Sequence, residues 1–264
     1  MNTLKDLVGI FFLNSKLRIQ RNMQYRFDFF NGLVMSLLNS GIGVVVLFLI
    51  FTTTNGYPGW NLQQIFLFQG LLLLWNGLKN MFFGDVRANI DDMVRKGNFD
   101  RLLLKPYPPI GLILVDGPNY MSLSGIAAGL FIIVVALMRL HIVPSIQSSL
   151  ACVLFLISAV ILHMAFLVLY CLIAIMVVFT GRMGEVMDKI LRFSEYPIEI
   201  YGRGVSWILR YVFPLAVMIY LPTQALLGRI EIIALISALV CVILFFLSLQ
   251  LWKHGLNKYT STGG

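Results

Sequence analysis

Long apolar runs recur six times along this sequence, and nothing else in it restricts the fold so severely. Runs of about 20 residues, the length a helix needs to cross a bilayer, lie at Phe30 to Thr52, Leu62 to Phe82, Tyr120 to Met138, Leu150 to Phe179, Val205 to Leu221 and Ile232 to Trp252. The expectation is an all-α polytopic membrane protein with six transmembrane helices. Hydrophobic residues make up 59% of the 264 and charged residues 12%, against about 45–50% and 25% in soluble domains. One soluble core cannot bury that much apolar surface, so lipid must solvate much of it. The fourth run, extended as a helix, is about 45 Å long at 1.5 Å per residue and is expected to tilt or protrude. The fifth contains Arg210 and Pro214. Arg210 is read as snorkelling from one end, and Pro214 as tolerable in a packed helix.

The net charge of +8 sits in short loops between apolar runs and not on one face of a domain, which argues against nucleic acid as a partner. Of the 20 Lys and Arg residues, only Arg139 and Arg229 fall on one side of a six-span arrangement; Arg203 and Arg210 are counted with the majority. The positive-inside rule then puts both termini in the cytoplasm of a multi-pass protein of the bacterial inner membrane. The outer connections, Thr53 to Asn61, Arg139 to Ser149 and Pro222 to Glu231, are too short for a soluble domain. The inner ones are longer and patterned, as expected where a partner docks. Residues 1–264 read as a single transmembrane domain.

Two flanking segments are amphipathic. Residues 1–26 read as a helix lying in the inner interface, with Leu4, Leu7, Val8 and Phe11 in one stripe and Lys16, Arg18 and Arg21 at headgroup level. They do not read as a cleavable signal, because the uncharged run is short and no small-residue cleavage site follows. Within residues 83–109, Gly84 to Lys96 reads as a second helix: Val86, Ile90, Met93 and Val94 share a face, with Asp85, Arg87, Asp91, Asp92 and Arg95 around the rest. Gly97 and Asn98 end it, and Phe99, Leu102 and Leu103 form another stripe before Pro106. This is either a membrane-surface helix with a solvated face or a lever that a cytoplasmic partner grips.

Polar residues inside the runs are few: Asn39, Ser40, Gln69, Asn76 and His163. Such groups generally hydrogen-bond a neighbouring helix, and His163 is read as helix glue before ligand or proton carrier. Gly125 and Gly129 form a G-x-x-x-G pattern that permits close packing. Cys152, Cys171 and Cys241 all fall in apolar runs and read as small hydrophobes. No phosphate loop of the G-x-x-x-x-G-K-[ST] type is present, no metal-ligand spacing occurs, and the embedded acids and bases of a proton-coupled carrier are missing. If the chain moves something, the energy comes from elsewhere. An intramembrane enzyme using His163 or Asp116, and a non-transporting scaffold or receptor subunit, are the alternatives.

Four stretches carry a resemblance: Ile90 to Pro106 (IDDMVRKGNFDRLLLKP), Tyr196 to Tyr201 (YPIEIY), Pro214 with Tyr220-Leu221-Pro222 and Leu226-Leu227-Gly228, and Trp252 to Gly264. With them the chain resembles the permease subunits of type-2 ATP-binding-cassette exporters, of the six-span branch encoded as non-identical pairs. The resemblance implies export, and the sparse polar residues within the runs favour an apolar or amphipathic compound; import by the same general class is the alternative, since the orientation of the spans does not fix direction. The residues themselves offer no catalytic or metal site. The resemblance implies two ABC ATPase subunits as partners, which would hold the ATP and magnesium, and a second permease chain, identical or homologous, with a non-identical one favoured. It makes residues 83–109 the coupling segment, with Arg87, Asp91, Asp92, Arg95, Lys96, Gly97, Phe99, Asp100, Arg101, Leu102 and Leu103 as ATPase-coupling residues. Asp91, Asp92, Arg95 and Arg101 would meet the ATPase. It further implies a route lined by spans two and five, with Gln69, Asn76, Asn39 and Pro214 as candidate lining, and a re-entrant element at Pro222 to Glu231.

Overall fold

Glycine decides how two of the longest helices meet. The computed structural model describes residues 3–24, 26–53, 56–177, 181–230 and 232–259. Its α-helices, among these residues, are α1 Thr3–Gln24, α2 Arg26–Thr53, α3 Leu62–Phe83, α4 Val86–Arg95, α5 Phe99–Leu103, α6 Pro109–Val115, α7 Leu123–Leu140, α8 Ile146–Met176, α9 Gly181–Leu191, α10 Arg203–Tyr211, α11 Tyr220–Leu226 and α12 Ala234–Leu256. Short 3-10 turns occupy Tyr120–Ser122, Arg192–Glu195, Ile198–Ile200 and Leu215–Val217, and no strand occurs among the described residues.

α3 and α7 run antiparallel, backbone against backbone. A methyl on Gly129 would lie 2.5 Å from the Leu74 nitrogen, and one on Gly70 2.9 Å from that of Ile133. Gly77 packs equally tightly against Ile126. The G-x-x-x-G reading of Gly125 and Gly129 is therefore a packing seam, and α3 answers it with glycines of its own. An Asn61–Gln64 capping box, in which each side chain accepts from the other's backbone N–H, starts α3.

Among the described residues three helical stretches, Tyr120–Leu140, Ile146–Met176 and Ala234–Leu256, are long and apolar enough to cross a membrane. α2 and α3 have comparable length at 28 and 22 residues, but Gln63, Gln64, Gln69, Asn76, Lys79 and Asn80 interrupt the apolar run of α3. Of the residues singled out above, the side chains of Leu4, Asn39, Ser40 and Thr52, and Phe179, Glu231 and 260–264 altogether, lie outside the described residues.

α8 and α12 run parallel: Phe155 in the third turn of α8 and Ala234 at the start of α12 line one cavity, and Leu172 meets Gly255 near the last turns of both. The chain must therefore return the length of the bundle between them. We call the end that holds Phe83, Met176 and Leu256 the basic end, and the opposite one the far end. The return is made by 181–200. α9 starts beside Tyr170 and Arg87 at the basic end, Glu195 reaches Leu72 of α3, and Glu199 reaches Trp60 at the far end.

This corrects the fifth run. Val205 to Leu221 is not one helix: α10 stops at Tyr211, and Pro214, which lacks an N–H and disfavours helix in the residue before it, separates it from α11. Residues 203–230 leave from the far end, dip until Met218 and Ile219 lie against Trp75 and His163, and come back to the far end at Gly228, beside Ile142. Their apolar side chains fill the bundle: Leu215 to Leu221 are all buried. Arg203 and Arg210 accordingly stand at the far end, and not with the basic majority.

Candidate functional site

The segment between α3 and α7 is bolted to the bundle by its apolar face. Val86, Ile90 and Val94 of α4 are buried in one cluster with Leu167, Val168, Cys171 and Ala174 of α8. α4 ends where Gly97 turns to φ +66°; Asn98 N–H donates to the Met93 carbonyl and Gly97 N–H to that of Val94, a Schellman turn that only glycine makes without strain. The turn delivers Phe99, 1% exposed, between the rings of Trp252 and Tyr259 at 6.5 and 5.1 Å. The Tyr259 hydroxyl is hydrogen-bonded with Asp100, and burial together with that carboxylate raises its pKa. The chain's last described turn thus clasps α5.

Polar contacts hold the same segment to α1, α8 and α9. Arg18 of α1 pairs with Asp85 and with Asp116 at 3.2 Å, and donates to the carbonyls of Asp116 and Pro118 at 2.7 and 2.9 Å. Asn89 donates to the Asp116 carbonyl, and Leu7 packs on Gly111 of α6. Arg18 is therefore a structural clamp, correcting its placement at headgroup level: two carboxylates and two carbonyls offer its guanidinium fork more than phosphate headgroups would. Tyr170 of α8 donates to Asp91 at 2.7 Å. Arg87 pairs with Asp188 of α9 at 2.9 Å, donates to the Gly184 carbonyl, and lies over the Tyr170 ring.

Among the eleven residues tied to ATPase coupling, two groups separate. Arg87, Asp91, Phe99, Asp100 and Leu102 turn inward and act as supports, with Gly97 making the turn between them. Asp92, Arg95, Lys96, Arg101 and Leu103 form the outer crest, continued by Leu104 (86% exposed) and Lys105. Asp91, half-buried, is engaged by the Tyr170 hydroxyl of α8. Asp92 accepts from Lys96 and Arg95 at 2.6 and 2.9 Å, and these bonds hold its carboxyl below the usual range.

The lining candidates divide similarly. Gln69 is buried between α3 and Gly43 of α2, and lines a cavity of about 180 Å³ with Glu195, Tyr196 and Pro197. Asn76 faces Lys79, His163 and Glu195. Both thus meet the return segment, whereas Pro214 lies at the helix break. His163 packs its ring on Trp75 and Phe83, while Asp116 is held by Arg18, so the two groups serve different contacts. No cluster able to hold a metal occurs among the described residues, and the three cysteines are buried and unpaired.

Sequence reasoning missed the supports Arg18, Tyr170 and Asp188, which lie 67 or more residues from their partners in one contact or another and leave no local pattern. It also missed a polar network at the far end. Trp60 Nε1 donates to Glu199 at 3.1 Å, the Tyr220 hydroxyl donates to the other Glu199 oxygen, and Arg210 donates to that hydroxyl at 3.1 Å.

A protein-family model described as ABC-2 family transporter protein matches residues 37–263. No curated protein and no solved structure matches the chain.

Proposed function

The chain belongs to the ABC-2 transporter family, and from that membership we propose that it is a six-crossing exporter permease driven through the crest on α4 and α5. Family membership makes it a membrane component of an ABC transporter, associated with ABC ATPase subunits. The finer reading is that two ATPases, which bind the ATP and magnesium, dock on the cytoplasmic basic end, and that a second permease, non-identical by preference, stands beside this one. α2, α3, α7, α8, the 181–200 return and α12 would be the crossings, in a bacterial inner membrane with both termini inside.

The crest carries this reading. Its back is fixed to α8, α12, α1 and α9, while its front offers a cationic rim around an exposed Leu104 knob. A push on the front therefore reaches four helices at once. The return segment supports a route between permeases: beyond its start at the basic end, Lys189 and Arg192 are exposed on it, and a charge facing lipid costs more the deeper it lies, up to about 2.5–3.5 kcal/mol or more at mid-bilayer. Those charges must face water or another chain, and they favour an amphipathic over a wholly apolar substrate.

An Arg101→Glu, Leu104→Glu variant tests the crest, since both side chains are exposed and their loss should leave the fold intact. Co-purification of the ATPase and ATP-dependent transport in vesicles should both fall at least tenfold. ATPase recovery and transport at the level of the parent protein would remove the crest from the mechanism. ATPase recovery without substrate-stimulated hydrolysis in the parent protein would favour a scaffold subunit instead.

A further inference from the structure

Glu195 stands half-buried where the return segment passes α3. Among the described residues its side chain makes no hydrogen bond and no ion pair; Lys79, Arg192 and Asp188 act on it only at longer range. Lys79 faces it across a gap of about 10 Å³, room for one water and no more. Neither carboxylate oxygen is sealed off, since both keep accessible surface. A carboxylate drawn partly out of water without a partner is unfavourable, and a donor or a cation relieves it.

The open side of Glu195 is the cleft of about 180 Å³ between α2, α3 and the return. This cleft occupies the far half of the bundle, from Tyr57 and Ile65 down to Leu72. Glu195 is the one charged side chain among its described lining residues. Gln69 adds an amide, and Tyr57 a hydroxyl, that are likewise unbonded and still accessible. Tyr57, Phe68 and Tyr196 supply three rings, and Val46, Ile65 and Leu72 an apolar wall. A carboxylate among aromatic rings is the chemistry that holds a substituted ammonium, because ring faces attract cations. An anion would meet Glu195, and a neutral guest would leave it unpaired. An apolar cavity of about 150 Å³ accepts benzene, so this cleft takes one ring-sized or trimethylammonium-sized group and leaves a larger body outside.

We propose that the cleft binds the ammonium of an amphipathic cation, with Glu195 as counter-ion, the rings of Tyr57, Phe68 and Tyr196 around it, and the Gln69 amide beside it. Lys79 is the competing charge on the other side of Glu195. As a substrate class this rests on the permease reading; as a binding site it does not.

Benzyltrimethylammonium, permanently charged, is the probe, titrated calorimetrically into the chain purified in a non-ionic detergent. The parent protein should bind it, and benzenesulfonate, an anion of similar size, should not bind. Glu195→Gln, which removes no bond of the fold, should weaken the probe about tenfold. Tyr196→Leu, at an exposed position, should weaken it about threefold. Lys79→Gln should tighten it about threefold, by removing the competing charge, an effect that a merely structural role for the pair would not produce. Displacement of the probe by phosphatidylcholine would support the site with a lipid headgroup as its source, and no displacement the site with a solute as its source. Equal binding by the parent protein and Glu195→Gln, loss of binding in Lys79→Gln, or preference for benzenesulfonate would overturn the proposal. ATPase co-purification is followed in the same preparations. Probe binding without the ATPase would sink the permease reading and keep the site; the ATPase without probe binding would do the reverse.

Discussion

Arg18 shows what one side chain contributes at a joint between elements. It is 16% exposed and holds two carboxylates and two backbone carbonyls that lie between 67 and 100 residues away in sequence. Removing its charge leaves Asp85 and Asp116 facing each other without a cation. Arg18→Gln should cost about 1.5–3 kcal/mol, the range for hydrogen bonds to charged groups, and lower Tm in a detergent thermal-shift assay. Arg18→Lys should recover only part, because a point charge cannot reproduce the fork. A Tm unchanged in Arg18→Gln would mean that water replaces the clamp. The sequence could not announce this role. A basic residue on an amphipathic N-terminal helix matches the signature of a lipid-binding surface, and its acidic partners come from a distant loop. Phe99 is the opposite case: the glycine two residues before it, and the aromatics of the tail, were both visible, although the contact that joins them was not.

At the scale of elements, the amphipathic reading of 84–96 and the glycine seam were legible because each is a periodic local pattern. Val86, Ile90 and Val94 recur every fourth residue and are buried together, and Gly125 and Gly129 face α3. The seam makes a sharp prediction. A methyl on Gly129 would stand 2.5 Å from a backbone nitrogen, whereas one on Gly125 would find nothing nearer than 3.7 Å. Gly129→Ala should therefore spread α3 from α7 and lower Tm and monodisperse yield. Gly125→Ala should be tolerated or mildly stabilising, since alanine is the better helix former. Equal behaviour of the two variants in size-exclusion chromatography would show that the helices separate freely. The return segment was illegible for a physical reason. Arg182, Glu185, Asp188, Lys189, Arg192, Glu195 and Glu199 depress its hydropathy, while the apolar stretch after it, which looks like a span, is interior filling. Hydropathy measures the wish to leave water and cannot tell lipid from protein as the destination.

For the whole molecule, parallel α8 and α12 force a reversal between them, which the fifth apolar run, Val205 to Leu221, misplaced in sequence. Cysteine labelling decides between the two placements. With the native cysteines buried, Arg203→Cys, an exposed position, should react with an impermeant maleimide from the side that also labels Arg139→Cys. Labelling from the side of Arg101→Cys would restore the earlier placement. The polar return also bears on how the protein is made. In the six-crossing arrangement proposed above, 181–200 inserted one helix at a time would be too charged to enter lipid alone, since a charge at mid-bilayer adds about 2.5–3.5 kcal/mol on the insertion scale. The 203–230 lobe packs on both α8 and α12, so it would lack one wall until α12 enters. The last third of the chain would then be threaded as a unit, late in synthesis. A ribosome that stops before Ala234 would leave a charged tail with no helix to draw it across.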